Sequence, residues 1–276
     1  MSTHSLVFAP TPFAQAALVA HVAPRRLVVF VHGFGGDALK TWKGFTELEA
    51  SDDFWSCADL IFFGYKSFRE SAKAVADRFR RLLPEHFPIP HLSLAHSGGG
   101  DLRDDGNAQY EELFIVAHSL GGLVVRRALL DDFTEWKALL GLIPPRPPTL
   151  EANVRLFSPA TAGFRPVHLL GALFESSATA ALRTVLGYTA NFADMQPGSE
   201  LLTSTRRRTE AIAMTYPEAE AVRARILWAN PEDVVINESY DTDLYSQSVD
   251  GRSHTNVCRP KADYDVPWRF VATGVL

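Results

Sequence analysis

Cysteine is scarce: Cys57 and Cys258, far apart in the chain, are the only two in 276 residues. That spacing fits neither a zinc knuckle nor a disulfide framework, and it points to reduced thiols in a cytoplasmic protein. Basic charge is short as well. There are 27 Lys and Arg against 32 Asp and Glu, a net charge of −5, and the one tight basic run, Arg206-Arg207-Arg208, has no aromatic residue interleaved. Nucleic acid is therefore not expected as a partner. Long apolar runs are missing too. The uncharged stretch from Leu6 to Ala23 is interrupted by Pro10 and Pro12 and has no Lys or Arg before it, unlike a signal peptide or a membrane span. It reads as a first strand and a loop. No fixed-period repeat occurs, which excludes solenoids and propellers.

What is present is a large apolar fraction, 46% of residues, with 21% charged. A chain of this size buries roughly 75% of its unfolded surface, so one core suffices without disulfides or a structural metal. A single domain over residues 1–276 is expected. Short apolar runs alternate with amphipathic stretches, the signature of an α/β sheet. Arg26-Leu27-Val28-Val29-Phe30-Val31-His32 is nearly continuous and β-branched, as a central parallel strand covered on both faces requires. Asp59 to Phe63, Leu113 to Ala117, Val154 to Phe157 and Arg225 to Ala229 read as further strands. A helix is expected from Ser67 to Leu83, stopped by Pro84, and another from Leu123 to Asp131. Pro84 to Gln109 reads mostly as surface loop, and Leu173 to Arg223 as mainly helical with breaks at Gly187 and Pro197-Gly198.

Chemistry concentrates after the third clear strand. A nucleophilic serine on a strand-to-helix turn needs small residues two before and two after it, because the backbone bends sharply there. Around Ser119 these are Ala117 and Gly121; the strict motif has glycine at the first position. The pattern alone is weak, with about 0.2 copies expected by chance in a chain this long. Context separates it from His96-Ser97-Gly98-Gly99-Gly100, which lacks the flanking strand and helix. The competing reading of Ser119 is a buried serine capping a helix. A glycine-rich turn after an earlier strand, His32-Gly33-Phe34-Gly35-Gly36, is suited to supply an oxyanion donor. The backbone N–H groups of Phe34 and Leu120 are the candidates, against the reading that the glycines only make a tight turn.

Chain order then constrains the partners. The acid and the base should follow Ser119 in that order, each beyond a strand at the carboxyl edge of the sheet. Asp233, in the loop after Arg225 to Ala229, is the candidate acid; Glu232 competes closely, and Asp241 and Asp243 are outsiders. His254 is the only histidine after Asp233 and the candidate base, with a surface-loop histidine as its alternative. His32 is expected to be a structural hydrogen-bonding residue, His168 lies before the acid, and His86, His91 and His96 are expected to be solvated. In this scheme His254 deprotonates Ser119, Asp233 fixes the imidazole tautomer, and Ser119 attacks a carbonyl carbon to form an acyl-enzyme. No metal or cofactor is required.

These residues resemble the α/β-hydrolase superfamily, and within it the serine esterase and lipase group that includes GPI inositol-deacylase-like proteins. Val29 to Asp37 with Thr41-Trp42 looks like that group's oxyanion segment, and Phe63-Gly64-Tyr65-Lys66-Ser67 is similar to its second-strand signature. Val116 to Val125 looks like its elbow and following helix, and His254 to Pro260 resembles its histidine loop. The matches run from 26 to 260. The resemblance implies an α/β-hydrolase fold, a mostly parallel doubly wound sheet with helices on both faces, and hydrolysis of a small-molecule or lipid acyl ester. One departure stands out: relatives usually carry Thr-Pro-His-x-Gly after the sixth strand, whereas Ser158-Pro159-Ala160-Thr161-Ala162-Gly163 lacks the histidine, implying a differently shaped pocket wall.

Residues 164–223 read as a cap-like insertion between the sixth strand and the acid strand. Phe164, Leu169, Leu170, Leu173, Phe174, Leu186, Tyr188, Phe192 and Met195 are candidates for an acyl pocket, with core packing as the competing reading. Arg206 to Arg208 would face an anionic head group or, by default, solvent. Transient membrane contact and acyl transfer stay open, as does a catalytically silent binding module on the same fold. Oligomeric state is not legible.

Overall fold

The computed structural model describes residues 4–7, 14–47, 53–97, 100–101, 108–139, 145–165 and 193–276. Eight strands form one sheet: β1 (His4–Val7), β2 (Ala14–Ala20), β3 (Arg26–Val31), β4 (Ala58–Phe63), β5 (Glu112–His118), β6 (Asn153–Phe157), β7 (Arg225–Asn230) and β8 (Tyr245–Asp250). Their spatial order is β1-β2-β4-β3-β5-β6-β7-β8. From β4 to β8 every pairing is parallel, whereas β2 runs antiparallel to both β1 and β4. The expected strands all form; β3 ends one residue earlier than expected, at Val31, and the other four are each extended by a residue at one end or both. The segment expected as a single strand and loop is instead two paired strands, β1 and β2.

The continuous apolar runs follow from burial on both faces. Along β3, Leu27, Val29 and Val31 enter the core on one side, while Val28 and Phe30 enter the core on the other. Helices α1 (Ala72–His86), α2 (Leu120–Ala138) and α3 (Glu200–Thr215) contribute Phe79, Val124 and Leu202 to the first core. Helix α4 (Val266–Thr273) covers the second with Phe270 and Val271, beside Trp42, Phe45 and Trp55. The sheet is thus wound on both faces, and its strand order reverses around β3. That switch opens a crevice at the carboxyl ends of β3 and β5.

Four local expectations need correction. Helix α1 starts at Ala72 rather than Ser67, because Ser71 caps it by accepting a bond from the Ala74 N–H at 3.2 Å. Pro84 does not stop α1 but sits in its last turn, two residues before the end, where little helix remains to be disrupted. His86 is not solvated: it is fully buried, and its Nδ1 donates to the Leu82 carbonyl at 3.1 Å. Helix α2 is also longer than expected at both ends.

Of the cap-like insertion, residues 166–192 lie outside the described residues, and with them Leu169, Leu170, Leu173, Phe174, Leu186, Tyr188, Phe192 and His168. Within the described part, Phe164 and Met195 are buried in the core, and α3 packs beside α2 through Leu202 and Ala213. Arg206 is engaged by Glu210 and Glu238, and Arg208 donates to Thr134 Oγ1 at 2.8 Å. Neither cysteine is in a disulfide. No helix among the described residues is long and apolar enough to cross a membrane.

Candidate active site

Ser119 stands between the end of β5 and the start of α2 with φ 55° and ψ −122°. This strained backbone is affordable only where the surroundings fix it. The Ser119 N–H donates to the Phe157 carbonyl at 3.1 Å, and its own carbonyl accepts from Gly122 N at 3.0 Å and Ala160 N at 2.9 Å. Close approach explains the glycines. A Cβ at Gly121 would lie 2.3 Å from the Val31 carbonyl oxygen, and one at Gly33 would lie 2.6 Å from Ser119 Cβ. Ala117 is fully buried between its register partners Val31 and Leu156, so alanine fits where the strict motif has glycine.

The turn after β3 is held against the serine by a set of polar contacts. Gly36 N donates to Gly33 O at 3.1 Å, Gly35 N to Ser67 Oγ at 2.9 Å, and the Tyr65 hydroxyl to His32 O at 2.7 Å. Phe34 is buried with its ring edge-on to Phe68. Leu120 opens α2, where the first backbone N–H groups have no intrahelical acceptor. His32 has the structural role expected of it. Its Nδ1 donates to Gly33 O at 2.9 Å, its ring stacks on Tyr65 at 4.1 Å, and burial holds its pKa below the usual histidine value.

The acid expectation is overturned in geometry. Glu232, not Asp233, faces His254: the His254 Nδ1 lies 3.0 Å from both carboxylate oxygens. Asp233 is exposed, while the Glu232 side chain is only 2% exposed. Glu232 Oε1 also accepts from the Val234 and Val235 N–H groups at 3.0 and 3.2 Å. Burial opposes its ionisation, but the bonds from His254, Ser158 and Val235 outweigh it and hold its pKa below the usual carboxylate value. Asp243 is engaged elsewhere, in a buried ion pair with Arg126, and Asp241 is exposed.

Residues missed by the sequence reading complete the surroundings. His118 Nε2 donates to the His254 carbonyl at 2.8 Å, and the two rings lie 4.7 Å apart. Desolvation, then the proximity of His254, lowers the His118 pKa to about 3, so it is neutral. Strand alternation was the available signal. It puts His118 on the face of Phe114 and Val116, where the second core also holds Val257 from the histidine loop. Ser158, in the motif lacking the usual histidine, accepts from Ala229 N at 2.9 Å and braces Glu232.

Ser119, His118 and His254 line a cavity of about 200 Å³ together with Gly33, Phe34, Gly35, Gly36, Thr41, Val234, Thr255 and Arg259. The sheet order and the serine turn define the α/β-hydrolase fold. No protein-family model and no curated protein matches the sequence. Among solved structures the chain is similar to the mature lipase BlEst2 of Bacillus licheniformis, with TM-score 0.52, 14% identity, and 96% of this chain and 95% of that one covered. It is also similar to the peroxisomal α/β-hydrolase Lpx1 of Saccharomyces cerevisiae, with TM-score 0.50, 14% identity, and coverage of 100% and 92%. A third is 2-hydroxy-6-oxo-6-phenylhexa-2,4-dienoate hydrolase of Rhodococcus sp. strain RHA1, with TM-score 0.50, 14% identity, and coverage of 99% and 100%.

Proposed function

We propose that the protein is a serine hydrolase that cleaves a carboxylic ester through an acyl-enzyme, with Ser119 as nucleophile, His254 as base and Glu232 as acid. The observation that carries this reading is the buried Glu232–His254 pair beside a strained Ser119 on one small cavity. A carboxylate only accepts hydrogen bonds, so Glu232 fixes the proton on His254 Nδ1 and leaves Nε2 to take the serine proton. Ser119 Oγ attacks the ester carbonyl carbon, and the Phe34 and Leu120 N–H groups stabilise the oxyanion. Protonated His254 then passes its proton to the departing alkoxide. Water, deprotonated by the same imidazole, releases the acid and restores the serine. No step calls on a metal or cofactor.

The motif resemblance to GPI inositol-deacylase-like esterases supports an acyl ester as substrate, and the lipase named among the structural neighbours fits the same class. The unpaired cysteines fit a reducing, cytoplasmic setting. Intact-mass analysis after a fluorophosphonate probe tests the nucleophile, since the probe needs an activated serine. Wild type should gain one adduct, and Ser119→Ala and His254→Ala none. Folded wild type that stays unlabelled would overturn the reading in favour of a silent binding module.

A further inference from the structure

Among the described residues, one permanently charged side chain lines the cavity around Ser119, and it is none of the three reacting residues. Arg259 lies in the histidine loop and lines the cavity, with its Nε donating to the Thr41 carbonyl at 3.3 Å. This contact ties the histidine loop to the segment after the glycine turn, but it occupies one of five guanidinium N–H donors. Among the described residues no carboxylate pairs with Arg259, and no Asp or Glu lines the cavity. Glu232 is behind His254, its charge committed to the imidazole and to two backbone N–H groups. His118 is neutral and adds no charge of either sign. A half-buried cation lining a small cavity, with no counter-ion among the described residues, sets up a positive field where a substrate must sit.

Resting on the hydrolase reading above, we infer that Arg259 is a specificity-determining residue that binds an oxyanion, carboxylate or phosphate, carried by the ester substrate. A guanidinium matches either group through two parallel N–H bonds, which fixes orientation as well as charge. The cavity volume of about 200 Å³ suits a compact ester. The bound anion supplies the counter-ion that the described residues do not provide, and it aligns the scissile carbonyl between Ser119 and the glycine turn.

The test compares charged esters with neutral counterparts: 3-acetoxybenzoate and 3-acetoxyphenyl phosphate against phenyl acetate, and mono-4-nitrophenyl glutarate against 4-nitrophenyl butanoate. The rate in Ser119→Ala is subtracted throughout. At least one anionic ester should be preferred by about tenfold or more in kcat/KM, mainly through KM, and high ionic strength should erode the preference. The first two anions separate carboxylate from phosphate, and the glutarate tells the acyl side from the leaving-group side. Arg259→Gln should collapse the preference, and Arg259→Lys should keep part of it. A second measurement needs no variant: glutarate or phenyl phosphate should slow fluorophosphonate labelling of wild type more than glutaramide or phenol does. An enzyme that labels at Ser119 but shows no charge preference, or one unchanged in Arg259→Gln, overturns this inference alone. Folded wild type that neither labels nor turns over any ester overturns the hydrolase reading, and this inference with it.

Discussion

Glu232 and Asp233 are adjacent carboxylates one methylene apart in length, yet one is buried against an imidazole and the other is in solvent. The order of residues favours this pair over the outsiders Asp241 and Asp243, because it lies in the loop directly after the strand before His254. It does not choose between them, since neighbouring side chains in a loop point to different sides and only the packed backbone decides which turns inward. Two backbone N–H groups converge on Glu232 Oε1, so the carboxylate is held in place before His254 approaches it. Replacing Glu232 with Gln removes the anion that sets the imidazole tautomer and stabilises its cation, and kcat should fall by about 10³- to 10⁴-fold. Asp233→Asn should change kcat by less than about twofold. Steady-state rates on 4-nitrophenyl butanoate with both variants decide this, and a large loss in Asp233→Asn alone would return the acid role to Asp233.

Helix α2 carries the strain of Ser119 at its first turn, so what fastens the helix also fastens the site. Besides its apolar face it has a buried ion pair: both oxygens of Asp243 accept from Arg126 Nη2 at 2.7–2.8 Å, and each side chain is 1% exposed. Arg126 also lies over the Tyr240 ring at 3.9 Å. Asp243 further accepts from the Ala224 and Tyr240 N–H groups, so the pair clamps α2 to the segments flanking β7. Asp243→Ala leaves a guanidinium buried without its partner and should cost about 3–5 kcal/mol. Urea denaturation should show the double variant Arg126→Met with Asp243→Leu losing much less; equal losses would mean the pair's charge is not what matters. At this scale the sequence was legible wherever burial was two-sided. The apolar runs of β3, β4 and β5 announced themselves, and the small residues around Ser119 marked the turn. Strand β8, Tyr245–Asp250, was missed because it is a mostly exposed edge strand whose polar residues show no alternation. Helix α1 began later than its apolar spacing suggested, since Phe68 packs on Phe34 from a turn outside the helix.

Over the whole molecule, four buried histidines among the described residues are held toward the neutral form: His4, His32, His86 and His118. In each, desolvation is the largest cause of a pKa below the ordinary 6.5, and for His118 the value is about 3. The sign follows from proton counting. Below pH 6.5 the unfolded chain protonates these rings more readily than the native protein does, so unfolding takes up protons and stability falls as pH falls. A ring with a lowered native pKa contributes up to about 1.4 kcal/mol per pH unit between 6.5 and that native value, and for His118 the interval runs down to about 3. Glu232, whose native pKa is lowered, acts in the same direction in the carboxylate range, where its protonation also breaks the bond to His254. Against a total stability of about 5–15 kcal/mol, a loss on this scale is a sizeable fraction of the whole. Urea midpoints at pH 7.5, 6.5, 5.5 and 4.5 should be flat over the first step and then drop steeply. His118→Gln can replace the ring's donor to the His254 carbonyl with an uncharged amide, and it should lower the acid slope by about 1.4 kcal/mol per pH unit. A midpoint that stays level to pH 4.5, or a slope that His118→Gln leaves unaltered, would mean that the native protein protonates these rings as readily as the unfolded chain does and that their burial does not control acid stability.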